Sequence, residues 1–289
     1  MTDDLRPRRS VLYMPAANER ALEKAKTIPA DAIIFDLEDA VAPDAKSEAR
    51  DKAVAAVKSG EYGNRELTIR CNGLDTEWGG LDIAAAGGAN PAAVVIPKVD
   101  SIATIDEVSK RLDAAGASPK VAIWPMIETP QAIFDARRLA AHPRVAVLIM
   151  GTNDLAKELR SPIVSGRHPL VPHLATALLA GREAGKVVID GVYNDIKDPE
   201  GFLSECVQGR EMGFDGKTLI HPSQVASAND EWAPTVDEVE YASRVIVAFD
   251  EAVIAGKGVV TVDGRMIENL HVDNARRVLA VSAAIDAMN

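Results

Sequence analysis

The sequence predicts an α/β fold of the (β/α)8 TIM-barrel class with a C-terminal lid segment, and three observations predict it. Short runs rich in Val and Ile recur along the 289 residues, each followed by a segment with apolar residues at helical spacing. The runs are apolar throughout instead of alternating, as parallel strands buried on both faces must be. Eight such units fit within about 225 residues, the arithmetic of a closed barrel. A doubly wound open sheet, the main competitor, would normally carry a Gly-rich turn after an early strand, and no G-x-G-x-x-G occurs.

In chain order the pattern predicts strands at Ser10–Met14, Ala32–Asp36, Leu67–Cys71, Ala93–Pro97, Val121–Ile127, Val145–Met150, Lys186–Asp190 and Gly216–Ile220. Between them the helical spacing predicts helices such as Asn18–Ile28, Ala45–Lys58, Ile102–Ala115 and Leu174–Gly185. After His221-Pro222 the alternation ends. Thr235 followed by Glu238 reads as a capping box, and Val239, Ala242, Ile246, Phe249 and Val253 then repeat at three and four residues. Gly256-Lys257-Gly258, a β run at Val259–Val262, the turn Asp263-Gly264 and a helix from about Val272 complete the chain. The expected division is a barrel over 1–228 and a lid over 229–289. A tail of roughly 60 residues is too small for a comfortable core of its own, so it is expected to pack on the barrel or on a neighbouring subunit.

Composition narrows the function. The chain is 47% hydrophobic and 26% charged with a net charge of −11, normal for a globular protein and without the basic footprint of a nucleic-acid binder. Two cysteines, Cys71 and Cys206, make no disulfide framework. Met1 to Arg9 lacks the apolar stretch of a secretory signal, and no apolar run approaches the roughly 20 residues needed to span a bilayer. The cytoplasm is the expected compartment.

Barrel enzymes carry their chemistry at the C-terminal ends of the strands, and seven of the eight predicted ends deliver a charged residue or His to that rim. Glu128 and Asp154 follow consecutive strands, which places two carboxylates on adjacent loops. Mg²⁺ suits one or two carboxylates completed by water and substrate oxygens; alternatively each acid caps the next helix. Asp36, Glu38 and Asp39 crowd one strand end, where they could reach a metal through water, orient Arg70 and Lys98, or cap a helix. Arg70 on a strand is costly to bury unless paired, and its fork suits a carboxylate or an enolate-like oxygen; a structural ion pair with Asp36 or Glu38 is the other reading. Asp190 and His221 complete the rim, His221 with either an acid–base or a structural role. Cys71 and the tryptophans read as core.

Ordered motifs then carry a family resemblance almost end to end: Arg9-Ser10-Val11-Leu12-Tyr13-Met14-Pro15, Phe35-Asp36-Leu37-Glu38-Asp39, Arg70-Cys71-Asn72-Gly73, Ile96-Pro97-Lys98, Ile127-Glu128-Thr129, Gly151-Thr152-Asn153-Asp154-Leu155, Asp190-Gly191-Val192, Ile220-His221-Pro222-Ser223-Gln224 and Gly264-Arg265-Met266-Ile267. The chain resembles the citrate lyase β-subunit-like CoA-ester lyases, which include malyl-CoA and citramalyl-CoA lyases and malyl-CoA thioesterases within the HpcH/HpaI aldolase superfamily. The resemblance implies a homotrimer or hexamer, with Glu128 and Asp154 as ligands of Mg²⁺ (Mn²⁺ as substitute) and Arg70 at the reacting oxygen. It implies that Lys24, Arg20 and Tyr13 hold the CoA moiety and that Glu38 and Asp39 form an acidic pair near the metal. The family's lid usually presents an Asp to a neighbour's site as acid–base; here Glu268 stands in its place, one methylene longer. The implied activity is Claisen-type cleavage or formation of malyl-CoA, with glyoxylate as the small 2-oxo acid. Hydrolysis of the (3S)-malyl-CoA thioester at the same site is the alternative, as is a citrate lyase β subunit working with an acyl-carrier partner.

Overall fold

A computed structural model describes residues 6–256 and 259–288. The expectations for Met1–Leu5 and for Lys257-Gly258 lie outside the described residues. Residues 8–229 form one compact unit and residues from 230 onward, with the few before 8, form another.

The first unit is a closed, all-parallel eight-stranded barrel whose strands pair in sequence order, β8 closing on β1. The strands are β1 (Ser10–Pro15), β2 (Ala32–Asp36), β3 (Glu66–Arg70), β4 (Ala93–Ile96), β5 (Ala122–Ile127), β6 (Val147–Met150), β7 (Val187–Asp190) and β8 (Gly216–Leu219). The helices between them are α1 (Glu19–Ala25), α2 (Lys46–Ser59), α3 (Gly79–Ala89), α4 (Ile102–Ala114), α5 (Pro130–Ala140), α6 (Thr152–Glu158), α7 (Val171–Glu183) and α8 (Pro199–Met212). Every predicted strand is present within two residues of its expected ends. Helix α1 stops at Ala25, three residues short of the expected Ile28, where Lys26 and Thr27 turn back on Glu23 and Lys24.

Side chains alternate across each strand. One row, including Val11, Ile34, Val95, Trp124, Met126, Ile149 and Ile189, fills the barrel interior. The other row faces the helices, so both faces are buried, as the uniformly apolar runs require. Trp124 and Cys71 are fully buried, in line with their reading as core, and Cys206 is fully buried as well.

One structural feature was not expected. Asp190 was assigned to the functional rim, but it is 0% exposed and bonded to Lys217 Nζ at 2.8 Å and to Arg167 Nη1 at 2.6 Å. Lys217 also reaches Glu205 at 2.7 Å, so two cations and two anions balance below the rim. Burial alone would raise the Asp190 pKa, but Lys217 and Arg167 hold it below the usual carboxylate range. Local spacing does not announce this, because Lys217 lies mid-strand and its partners come from distant segments.

In the second unit, helices α10 (Val236–Ile254) and α11 (Asn269–Asp286) pack around the hairpin β9 (Val260–Val262) and β10 (Arg265–Ile267). Helix α9 (Val225–Trp232) precedes them and spans the boundary between the units. The predicted capping box is present: Thr235 Oγ accepts from Glu238 N–H, and the Glu238 carboxylate accepts from Thr235 N–H. Helix α11 begins three residues earlier than expected. No helix among the described residues is long and apolar enough to cross a membrane.

Replacing Lys217 with Met would leave Asp190 and Glu205 with one cation between them. We expect a loss of about 3–5 kcal/mol, the usual cost of breaking a buried ion pair from one side, read as a lower urea midpoint at unchanged slope.

Candidate active site

The alternate row that fills the barrel does not stop at the apolar core. Continued by two residues it becomes polar: Val11 leads to Tyr13, Ile34 to Asp36, Thr68 to Arg70, and Met126 to Glu128. All four end rows line one cavity of about 350 Å³ at the C-terminal mouth, together with Asp39 and Asp154. The same periodicity that builds the core therefore aims these side chains.

Arg70 and Asp36 stand opposite each other in the β2–β3 register. The guanidinium is 8% exposed and binds Asp36 with two parallel bonds, Nε to Oδ1 and Nη2 to Oδ2, both 2.7 Å. Its Nη1 lies 2.8 Å from Glu38 and 3.5 Å from Asp39, and its plane covers the Tyr13 ring at 4.8 Å. Burial would lower the Arg70 pKa, but Asp36 more than offsets it and fixes the charge. Burial pushes the Glu38 carboxyl up to about 7 even though Arg70 pulls it down. Asp36 and Glu38 thus hold the Arg70 guanidinium in one orientation.

The loop carrying Glu38 is held from beneath by Asp36 and by Lys46, which the sequence pattern does not single out. Asp36 accepts from the Glu38 and Ala40 N–H groups at 2.9 and 3.1 Å. Lys46, 6% exposed, donates to the carbonyls of Leu37 and Glu38 and to Asn72 Oδ1, each at 2.7 Å. A lysine at the head of a helix looks like a solvated charge in the sequence; only the fold shows that it points inward.

Glu128 is the exception among the buried acids. Six acids are buried among the described residues, and five have a cationic partner: Asp31 with Arg9, Asp36 with Arg70, Glu66 with Arg8, Asp82 with Arg50, and Asp190 with Lys217. Glu128, 2% exposed, has no ion-pair partner among the described residues; its Oε1 accepts the Lys98 N–H at 2.6 Å. Burial pushes its carboxyl up to about 7; the Lys98 N–H opposes the shift, and Glu38 and Asp154 add to it. Lys98 makes this bond from a left-handed backbone, φ 50°, a conformation costly for a residue with a side chain. Gly151 packs so closely that a Cβ there would strike the Glu128 carboxylate.

Capping does not account for these two acids. Thr129, not Glu128, caps α5, accepting from Ala132 N–H. Asp154 sits in the first turn of α6, half-buried, with no hydrogen bond or ion pair among the described residues, and α6 starts at Gly151 without a side-chain cap. Two carboxylates without an ion-pair partner among the described residues thus line one cavity, and among those residues no cluster of three or more His, Cys, Asp or Glu could hold a metal by itself. That donor set fits a hard cation that keeps water and ligand oxygens, as Mg²⁺ does.

The other expected residues are placed as follows. Lys98 Nζ is half-exposed at the rim, 3.7 Å from Glu38. Arg20 and Lys24 are exposed one turn apart on α1, with no ion pair among the described residues. His221 is not a cavity residue: its Nδ1 lies 2.8 Å from Ser223 Oγ and accepts from Ser223 N–H, so the structural reading applies. Glu268 belongs to the second unit, exposed at the head of α11, where its N–H donates to His271 Nδ1.

Fold and site together are those of a TIM-barrel enzyme with a carboxylate-lined pocket. The chain belongs to the HpcH/HpaI aldolase/citrate lyase family, whose pattern matches residues 9–222. It is 48% identical over 287 residues to a (3S)-malyl-CoA thioesterase of Cereibacter sphaeroides (strain ATCC 17025 / ATH 2.4.3), covering 99% of both chains. It is 35% identical to citrate lyase subunit beta of Escherichia coli K12, covering 95% of this chain and 93% of the other. Among solved structures it is similar to the protein CitE from Mycobacterium tuberculosis in complex with magnesium, acetoacetate and coenzyme A. That likeness has a TM-score of 0.78 and 26% identity, over 96% of this chain and 98% of the other.

Lys46→Met removes the donor of two carbonyls that hold the Glu38 loop. We expect hydrogen exchange at the Glu38 and Ala40 amides to rise at least about tenfold, since each buried group left unpaired costs about 1–3 kcal/mol.

Proposed function

We propose that the protein is a Mg²⁺-dependent enzyme acting on a small 3-hydroxyacyl thioester of coenzyme A, of the malyl-CoA type, and that its net reaction is hydrolysis of the thioester. The site rests on one observation: among the described residues Glu128 is the buried acid without a cation, and it shares its cavity with Asp154, which has no ion-pair partner among them. These two carboxylates would hold the ion. Bound there, it would polarise the substrate oxygens as a Lewis acid. The choice of hydrolysis is supported by the end-to-end relatives at 48% identity, which are named thioesterases.

In this reading the chain's own residues do the following. Arg70 has five N–H groups, and Asp36 and Glu38 occupy only part of the set. The remainder stabilises negative charge on the thioester oxygen. Glu38, beside Arg70, takes the proton of the attacking water. The water oxygen bonds to the carbonyl carbon, the carbon–sulfur bond breaks, and the electron pair leaves on the CoA sulfur, which is then protonated. Arg20, Lys24 and Tyr13 bind the CoA moiety, the first two by charge.

Carbon–carbon cleavage is the second reading, favoured by the citrate lyase relatives at 35% identity. The 3-hydroxyl gives its proton to Glu38, the adjacent carbon–carbon bond breaks as the hydroxyl oxygen becomes the glyoxylate carbonyl, and the electron pair of the broken bond passes to a thioester enolate facing Arg70. Glu268 of a neighbouring copy in a trimer or hexamer protonates the enolate carbon, releasing glyoxylate and acetyl-CoA.

Malyl-CoA incubated with the protein and Mg²⁺ separates the two. Hydrolysis yields free thiol and malate without glyoxylate; stoichiometric glyoxylate and acetyl-CoA would establish cleavage instead, and no product from this or related thioesters would refute both. Glu128→Ala is expected to lower kcat at least about 100-fold, as loss of a principal electrostatic group does. Wild-type turnover in excess chelator would contradict the metal reading.

A further inference from the structure

A second cavity, about 310 Å³, opens beside the first between the 163–170 segment and α8. Four residues line both cavities and so form the wall between them: Thr152, Asn153, Val192 and Asn194. The foot of the wall is fixed. Thr152 is buried, and Gly191 packs against it so tightly that a Cβ there would collide with it. The crown is different. Asn153 Nδ2 donates to Asn194 Oδ1 at 3.1 Å, and Asn194 Nδ2 donates back to Asn153 Oδ1 at 2.7 Å. Both side chains are exposed, so opening this pair exchanges two amide bonds for bonds to water at small cost.

The frame of the second cavity is rigid. Arg167, 4% exposed, is tied to Asp190 and to Gln208 Oε1, and Gln208 Nε2 donates to the Gly166 carbonyl. Tyr193 donates to Asp198 at 2.6 Å. Its lining chemistry selects against anions. Asp195, Asp198 and Glu205 line it against one cation among its described lining residues, Arg167, whose Nη1 pairs with Asp190 and Glu205 while its Nη2 is buried without a hydrogen-bond partner. Val164, Leu170 and Val192 supply apolar surface.

We propose that the Asn153–Asn194 pair sets the size limit for the group on the carbinol carbon of the substrate, and that the cavity behind it accepts an uncharged alkyl chain once the pair opens. This rests on the reading of the first cavity as the site for the acid end of a 3-hydroxyacyl thioester. The wall stands over β6 and β7, whereas Arg20 and Lys24 follow β1, so the acid end and not the CoA arm meets it.

The test is calorimetric titration of the full-length protein, with saturating Mg²⁺, by pyruvate and by 2-oxovalerate, which differ by two methylene groups. In Asn194→Ala, and equally in Asn153→Ala, the affinity for 2-oxovalerate relative to pyruvate should rise about tenfold, the worth of burying two methylenes. Adding Ser204→Trp, which fills the second cavity, should abolish that gain. An unchanged ratio in both single variants, or a gain that survives Ser204→Trp, would overturn the proposal. Wild type that binds neither acid would instead overturn the reading of the first cavity, and this proposal with it.

Discussion

Moving a carboxylate out of water and into a barrel mouth costs several kcal/mol unless a positive charge meets it. Among the described residues the chain meets that cost for every buried acid but one, each time with an arginine or lysine within ion-pair distance. For Glu128 it provides a single backbone N–H, presented by a residue in a left-handed conformation, and a glycine at the point of closest approach. The arrangement makes physical sense when the missing charge comes from outside. Beside that unbalanced charge lie the cavity and Asp154, which among the described residues has no ion-pair partner, and the two acids are a donor set suited to Mg²⁺.

The other half of the site obeys the opposite rule. Arg70 is locked by Asp36 and flanked by Glu38 and Asp39, so its guanidinium is held in place before a ligand arrives. A donor fixed in advance costs no reorganisation during reaction. An under-paired carboxylate facing a fully positioned cation gives the cavity a polarity that suits a substrate with adjacent oxygen atoms and a polarisable carbonyl.

Much of this was legible in the sequence, for identifiable reasons. The barrel was legible because parallel strands buried on both faces cannot alternate, and the eight apolar runs do not. Glu128, Asp154, Arg70 and Asp36 were legible because a polar residue ending an apolar strand has few places to point. Residues whose direction depends on tertiary packing were not. Lys46 opens a helix and Lys217 interrupts a strand; each reads as ordinary until the fold turns it inward. Asp190 looked like its rim neighbours and is instead consumed by Lys217 and Arg167, because Arg167 lies 23 positions upstream on a segment with no periodic signal. The Asn153–Asn194 pair joins two loops, and nothing local to either announces the other.

An external cation between two acids is the central requirement of the proposed site. Its most direct test is a crystal structure of the protein with Mg²⁺ and pyruvate. The prediction is octahedral density with one oxygen each of Glu128 and Asp154 at about 2.1 Å, and a ligand oxygen facing Arg70. Density for the ion elsewhere, or a Glu128 carboxylate turned away from Asp154 and paired with a cation of the chain, would contradict it.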